Sequence, residues 1–358
     1  MRFIIGVILL CWLLSPPDTA RAIILLGTGD PEANTTAPGG VLAGSGWDTQ
    51  TARPASATAV GPRHFVSASH LGGSVDVGSA TPFAGLRYPI VRSLLVPGTG
   101  DLRFFEVAGR LPAHGIAEMY SGTEEVGRPA IIHGMGLGRG TPVIYESAGG
   151  PELRGWQWGA NGGRLRWGTN VVTGTTNSAC FGPLLVLHFS NTGGADEAMV
   201  TSGDSGGGTF ILDSDGRWKL AGVTLDVEST FRLSPTSPDL RAAIFDRRGL
   251  FEYTSEKELV QIPEDDPVPG TYILLTRISP SVARIAAEIE KPPDGAWPRL
   301  LSAVSVLGEY SEHEPYAVNP ASRTISIPLD QDQRFFQLPE GWSVTSLRVD
   351  GDLVTLHY

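Results

Sequence analysis

The sequence predicts an all-β protein, and three observations carry that expectation. Gly (45) and Pro (27) together make up a fifth of the 358 residues, a density that interrupts helices and supplies turns. From Ile23 to about Val260, short apolar runs alternate with clusters of Gly, Pro, Asn and Asp. Tyr88 to Val96, Leu102 to Val107, Gly182 to Phe189, Thr209 to Leu212 and Trp218 to Val227 are such runs, with turn signals such as Pro97-Gly98-Thr99-Gly100 and Asp213-Ser214-Asp215-Gly216 between them. Few stretches hold a helical apolar period, which excludes a bundle and favours a barrel or sandwich. One helix is expected over Pro238 to Leu250, where Leu240, Ala243 and Ile244 recur without Gly until Gly249.

The N-terminus has the form of a secretory signal. Arg2 precedes the apolar run Phe3 to Leu14, Ser15-Pro16-Pro17 ends it, and Ala20-Arg21-Ala22 supplies a small-residue cleavage site. The run is too short for a membrane span, which needs about 20 apolar residues. Residues 1–22 are therefore expected to be removed and the mature chain to be secreted, periplasmic or extracellular. Their removal takes away Arg2, Arg21 and Asp18, moving the net charge from −11 to −12. Such a surface does not suit nucleic acid or an anionic membrane. It also leaves Cys180 as the one cysteine, expected as a small core residue, so no internal disulfide can form.

Pro263-Glu264-Asp265-Asp266-Pro267-Val268-Pro269-Gly270 reads as a linker, being acidic, Pro-rich and without apolar periodicity. The division expected is a β domain over 23–262, a linker over 263–270 and a small β-rich module over 271–358 that offers a surface for attachment or for a partner. Within it, Asp350-Gly351 between two alternating runs signals a hairpin.

Chemistry concentrates in three segments. Ser205 lies in Gly203-Asp204-Ser205-Gly206-Gly207, where glycines let the backbone turn sharply and bring N–H groups toward a carbonyl oxygen. Phe65-Val66-Ser67-Ala68-Ser69 leads as an apolar strand into His70, and Asp101 precedes the run Leu102 to Val107. A Gly-x-Ser-x-Gly reading also fits the nucleophile elbow of α/β-hydrolases, but that fold needs Ser, acid, His in chain order. Only His313 and His357 follow Ser205, both beyond the linker, and the βαβ alternation is missing.

The order His70, Asp101, Ser205 and the motifs around them resemble the secreted trypsin-like serine proteases, of the bacterial type without disulfides. The resemblance covers about Ile23 to Val260 and implies a double β-barrel chymotrypsin-like domain acting on protein or peptide substrates without a cofactor or metal. It implies Ser205 as nucleophile, His70 as general base, Asp101 as its orienting acid, and the N–H groups of Gly203 and Ser205 as an oxyanion hole. It further implies that a new N-terminal Ile23 would set its ammonium against Asp204. Met199, six residues before Ser205, is expected at the base of a specificity pocket, disfavouring Arg or Lys at the cleaved position. Thr224, Leu225 and Asp226 replace the family's Ser-Trp-Gly region, and Asp226 would restore a basic preference. A catalytically inactive binding or surface protein on the same scaffold is the alternative of different class.

Overall fold

The computed structural model describes residues 22–358 apart from 53, 161, 266–267, 294 and 330–333. The expected signal peptide thus lies outside the described residues, save Ala22. Strands dominate, arranged as one closed six-stranded barrel, one curled half-barrel sheet and further small sheets. No described helix is long and apolar enough to cross a membrane.

The half-barrel is built from β1 (Thr58–Gly61), β2 (His64–Ala68), β3 (Ala80–Phe83), β4 (Leu86–Leu95) and β5 (Leu102–Val107), in the order β1-β2-β5-β4-β3. Period-two alternation sets its two faces. Phe65 stacks on Phe105 and meets the edge of Phe83 inside the curl, while Val66 and Phe104 face the opposite way into a second apolar cluster. The expected first barrel does not close. Between its edge strands runs the segment 50–52, which bonds to both sides without forming a ladder: Thr51 N–H to Ala57 O with a bridge of Gln50 to Thr58 on one, and Ala52 N–H to Pro82 O on the other. Pro82 has no N–H to extend a ladder across that seam.

The closed barrel comprises β6 (Pro129–Gly134), β7 (Arg166–Ser178), β8 (Gly182–His188), β9 (Gly208–Leu212), β10 (Trp218–Val227) and β11 (Tyr272–Arg277), running β7-β8-β11-β10-β9-β6 and back to β7. Ile132, Val172, Leu185, Leu187, Ile211, Ala221, Ile273 and Leu275 fill its core. Each of the Val, Leu and Ile side chains among them, fully buried, contributes about 1.5–3 kcal/mol.

After the barrel, the helix α1 (Val282–Ile289) returns to the half-barrel. Val282, Ile285 and Ile289, at helical spacing, pack with Val60, Val66 and Phe104. Arg92 reaches Glu288 at 2.5 Å and Glu106 at 3.1 Å, tying the helix to β4 and β5. A bidentate pair of Arg277 with fully buried Glu125, both contacts 2.8 Å, anchors the end of β11.

Several expectations need correction. The segment Pro238 to Leu250 is not a helix: Leu240–Ile244 is a strand paired with Gly155–Gln157 and Thr230–Phe231. Ala243 packs into the barrel core and Ala242 and Ile244 into another cluster, so both faces are apolar and the period-two signal is hidden. The module expected over 271–358 does not begin at 271, because β11 is a stave of the barrel. Nor does the remainder stand apart, since Tyr316–Asn319 pairs with Gly109–Arg110, and Arg110 holds Glu312 and Glu314 at 3.2 Å. Cys180 is not a core residue; it is an exposed thiol in the turn between β7 and β8. The expected hairpin is present: Ser346–Asp350 pairs with Leu353–His357 across Gly351.

His64 carries a testable consequence of this packing. It is 1% exposed, stacked on Phe104 at 5.3 Å, with neither ring nitrogen hydrogen-bonded among the described residues. Burial, aided by the charges of Arg63 and Arg92, lowers its pKa from 6.5 to about 3. Because the unfolded chain takes up this proton near pH 6.5 and the folded chain does not until about pH 3, stability falls as pH drops between those values. His64→Leu is therefore expected to flatten the decline of the denaturation midpoint between pH 7 and pH 4. An unchanged slope would place the acid sensitivity elsewhere.

Candidate active site

Strand register brings His70 and Asp101 together. In the antiparallel pair of β2 and β5, Ala68 lies opposite Leu102. The residues just past this pair are therefore neighbours, and Ser69 N–H donates to Asp101 O at 2.6 Å. Asp101 is 3% exposed, and its carboxylate accepts twice from His70: from the backbone N–H at 2.8 Å and, at 2.9 Å, from Nδ1. With Nδ1 so occupied, the neutral ring leaves Nε2 as its acceptor. The hydrogen bond that His70 donates to Asp101 raises the His70 pKa above the ordinary imidazole value; burial opposes the rise, and the charges of Asp101 and Asp226 add to it.

The Ser205 loop belongs to the closed barrel, just before β9. Asp204 is its buried anchor. Its Oδ1 accepts from Gly136 N–H at 2.5 Å and its Oδ2 from Thr201 N–H at 2.7 Å. Burial pushes the Asp204 carboxyl up to about 6, against these two donors and the charge of Arg166. Gly203 and Gly206 both take positive φ, +94° and +84°, where a side chain is strained. A Cβ on Gly206 would also lie 2.3 Å from Ser56 O. Gly206 N–H then bonds to Thr224 O, fastening the loop to β10. Among the described residues, the N–H groups of Gly203 and Ser205 have no acceptor, and neither the Ser205 hydroxyl nor His70 Nε2 has a partner.

One cleft of about 390 Å³ is lined by residues of both sheets. His70 and Asp101 come from the half-barrel, and Ser205, Thr224, Leu225 and Asp226 from the barrel. Catalytic hydrogen bonds are often open in unliganded sites and tighten when substrate arrives. Met199 does not line this cleft. It is fully buried in the core, paired with Ile24 and contacted by the Thr271 hydroxyl at 3.6 Å from its sulfur. Ile23 is likewise fully buried in the barrel core, and Arg166 donates to the carbonyls of Ala22 and Ile23. No hydrogen bond or ion pair joins Ile23 to Asp204 among the described residues; Asp204 takes its hydrogen bonds from Gly136 and Thr201.

Trp158, Phe181, Ser229 and Arg241 also line the cleft, and no motif in the sequence marks them. They come from separate strands and turns, and Arg241 lay inside the expected helix. Only the pairing of Leu240–Ile244 with Gly155–Gln157 brings Arg241 beside Trp158. Among the described residues, no three His, Cys, Asp or Glu side chains converge as a metal would require. No family model matches the chain, and no curated protein matches it.

Proposed function

We propose that the protein is an exported, trypsin-like serine endopeptidase working through His70, Asp101 and Ser205. The single observation that carries this reading is the double clamp of Asp101 on His70 in the cleft that Ser205 also lines. His70 Nε2 takes the Ser205 proton as Oγ attacks the scissile carbonyl, and Asp101 stabilises the imidazolium that results. The free N–H groups of Gly203 and Ser205 receive the negative oxygen of the tetrahedral intermediate. His70 then gives its proton to the leaving amine, and water repeats the sequence to release the acid. Buried Asp204 keeps the loop in shape, with Arg166 as compensating positive charge.

The test is a cleavage-site profile of the full chain on a peptide library. Defined internal cleavages are expected, and an intact library would remove the reading. The pH dependence adds a second check. The base acts only when neutral, and its pKa is held above the ordinary imidazole value chiefly by Asp101. The acidic limb of kcat/KM is therefore expected above that ordinary value, and Asp101→Asn should move it downward. A limb that stays in place in the variant would mean that Asp101 is not the partner of the base.

A further inference from the structure

We propose that the cleft selects polypeptides with an acidic side chain, Asp or Glu, at or beside the cleaved bond, and that Arg241 is the residue that recognises it. This rests on the endopeptidase reading and gives it a substrate class.

Between residues 228 and 252 the other three arginines are all paired: Arg232 with Asp239, Arg247 with Glu228 and Glu252, and Arg248 with Asp246. Arg241 has no ion pair or hydrogen bond from its guanidinium among the described residues. Arg241 is exposed, and Arg87, Lys257, Arg284, Arg299 and Arg323 are likewise without an ion pair among the described residues, but of these cations Arg241 is the one that lines the cleft. Its one side-chain partner is the ring of Trp158, 5.5 Å from the guanidinium carbon. Such a cation–π contact leaves the guanidinium donors open for a carboxylate. The mount is rigid, since Arg241 sits in a strand opposite Thr230 and next to the Ala242–Gln157 pair.

The neighbouring cleft groups lack acceptors too. Thr224 is 2% exposed and its hydroxyl has no partner; the indole N–H of Trp158 is buried and equally unpartnered. A buried donor without an acceptor is costly, so an occupant that brings one is favoured. Asp226 is the one other acid lining the cleft besides Asp101. It accepts from Val227 N–H at 2.8 Å, and its charge acts on His70. Arg241 and Trp158 are shared instead with an adjoining depression of about 330 Å³, where Asp239 is already paired with Arg232. Among the described residues neither Asp226 nor Arg241 has an ion pair, so the cleft offers one exposed acid and one exposed base, and Arg241 is the one of the two mounted on an aromatic ring.

The test compares peptides that differ only by Glu, Gln, Lys or Leu at each position around the cleaved bond. Wild type is expected to favour Glu over Gln by about 10- to 100-fold in kcat/KM. Arg241→Gln should erase that difference, with its thermal unfolding midpoint read beside wild type to control for folding, and Arg241→Glu should turn the preference toward Lys. Equal cleavage of Glu and Gln peptides, or a preference that survives in Arg241→Gln, overturns the proposal. So does a wild-type preference for Lys, which would assign selectivity to Asp226. Anisotropy binding of the same peptides to Ser205→Ala reads the site without turnover. If nothing is cleaved but Glu peptides bind more tightly than Gln peptides, the endopeptidase reading falls and the acidic subsite stands. Equal binding sinks the subsite.

Discussion

Ser205→Ala is expected to lower kcat by about 10⁶, the scale on which triad nucleophiles act, without lowering stability. The two halves of that expectation have separate causes. The hydroxyl makes no hydrogen bond among the described residues, so its removal leaves no donor or acceptor stranded. The loop's shape comes from Asp204, from the positive-φ glycines Gly203 and Gly206, and from the bond of Gly206 N–H to Thr224 O. None of these involves the hydroxyl. Turnover by the purified variant, read beside its thermal unfolding midpoint, separates the effects. A variant that unfolds at the wild-type temperature and still cleaves at more than about a hundredth of the wild-type rate would mean that another residue is the nucleophile.

Asp101→Asn is expected to cost about 10⁴ in kcat. The acid is clamped in place by the neighbouring backbone and accepts from both His70 N–H and Nδ1. An amide can still accept from the His70 backbone through its oxygen. Its NH₂ group would then face Nδ1 and favour the tautomer with the proton on Nε2, which cannot take the Ser205 proton. Asp101→Ala should differ in kind. It would leave His70 N–H without its acceptor and add a stability loss of about 1–3 kcal/mol to the catalytic defect. Chemical denaturation of the two variants reads that difference. Equal stability of Asn and Ala variants would show that the backbone bond contributes nothing.

Local pattern carried the parts of the fold that depend on local pattern. The run Leu102 to Val107 is a strand because its alternate residues fill two clusters, Phe105 in one and Phe104 in the other. The Asp350-Gly351 hairpin was legible for a similar reason, since Gly351 takes φ +58° at the turn. What stayed hidden depends on partners distant in sequence. Leu240–Ile244 resembled a helix because Ala242 and Ala243 are both buried against different clusters. Tyr272–Arg277 carries the apolar run of a strand, but nothing local reveals that it closes the barrel between β8 and β10. The proline-rich segment before it suggested a boundary that the hydrogen-bond ladders cross. Met199 illustrates the same limit at the site: its spacing from Ser205 suggested a pocket base, and the strand from Ile24 covers it. His70 and Asp101 were readable because each follows or precedes a short apolar strand, yet the contact itself comes from the Ala68–Leu102 register. Arg241 had no motif at all.

A fluorophosphonate probe reads out whether Ser205 is a nucleophile activated by His70. An activated serine displaces the fluoride and keeps the phosphonyl group, whereas an ordinary hydroxyl does not react. Wild type should take up one label, mapped by peptide mass to the segment containing Ser205, and Ser205→Ala and His70→Ala should take up none. Equal labelling of wild type and Ser205→Ala, or no labelling of the folded wild type, would rule out Ser205 as the nucleophile and leave the cleft as a binding site on a β scaffold.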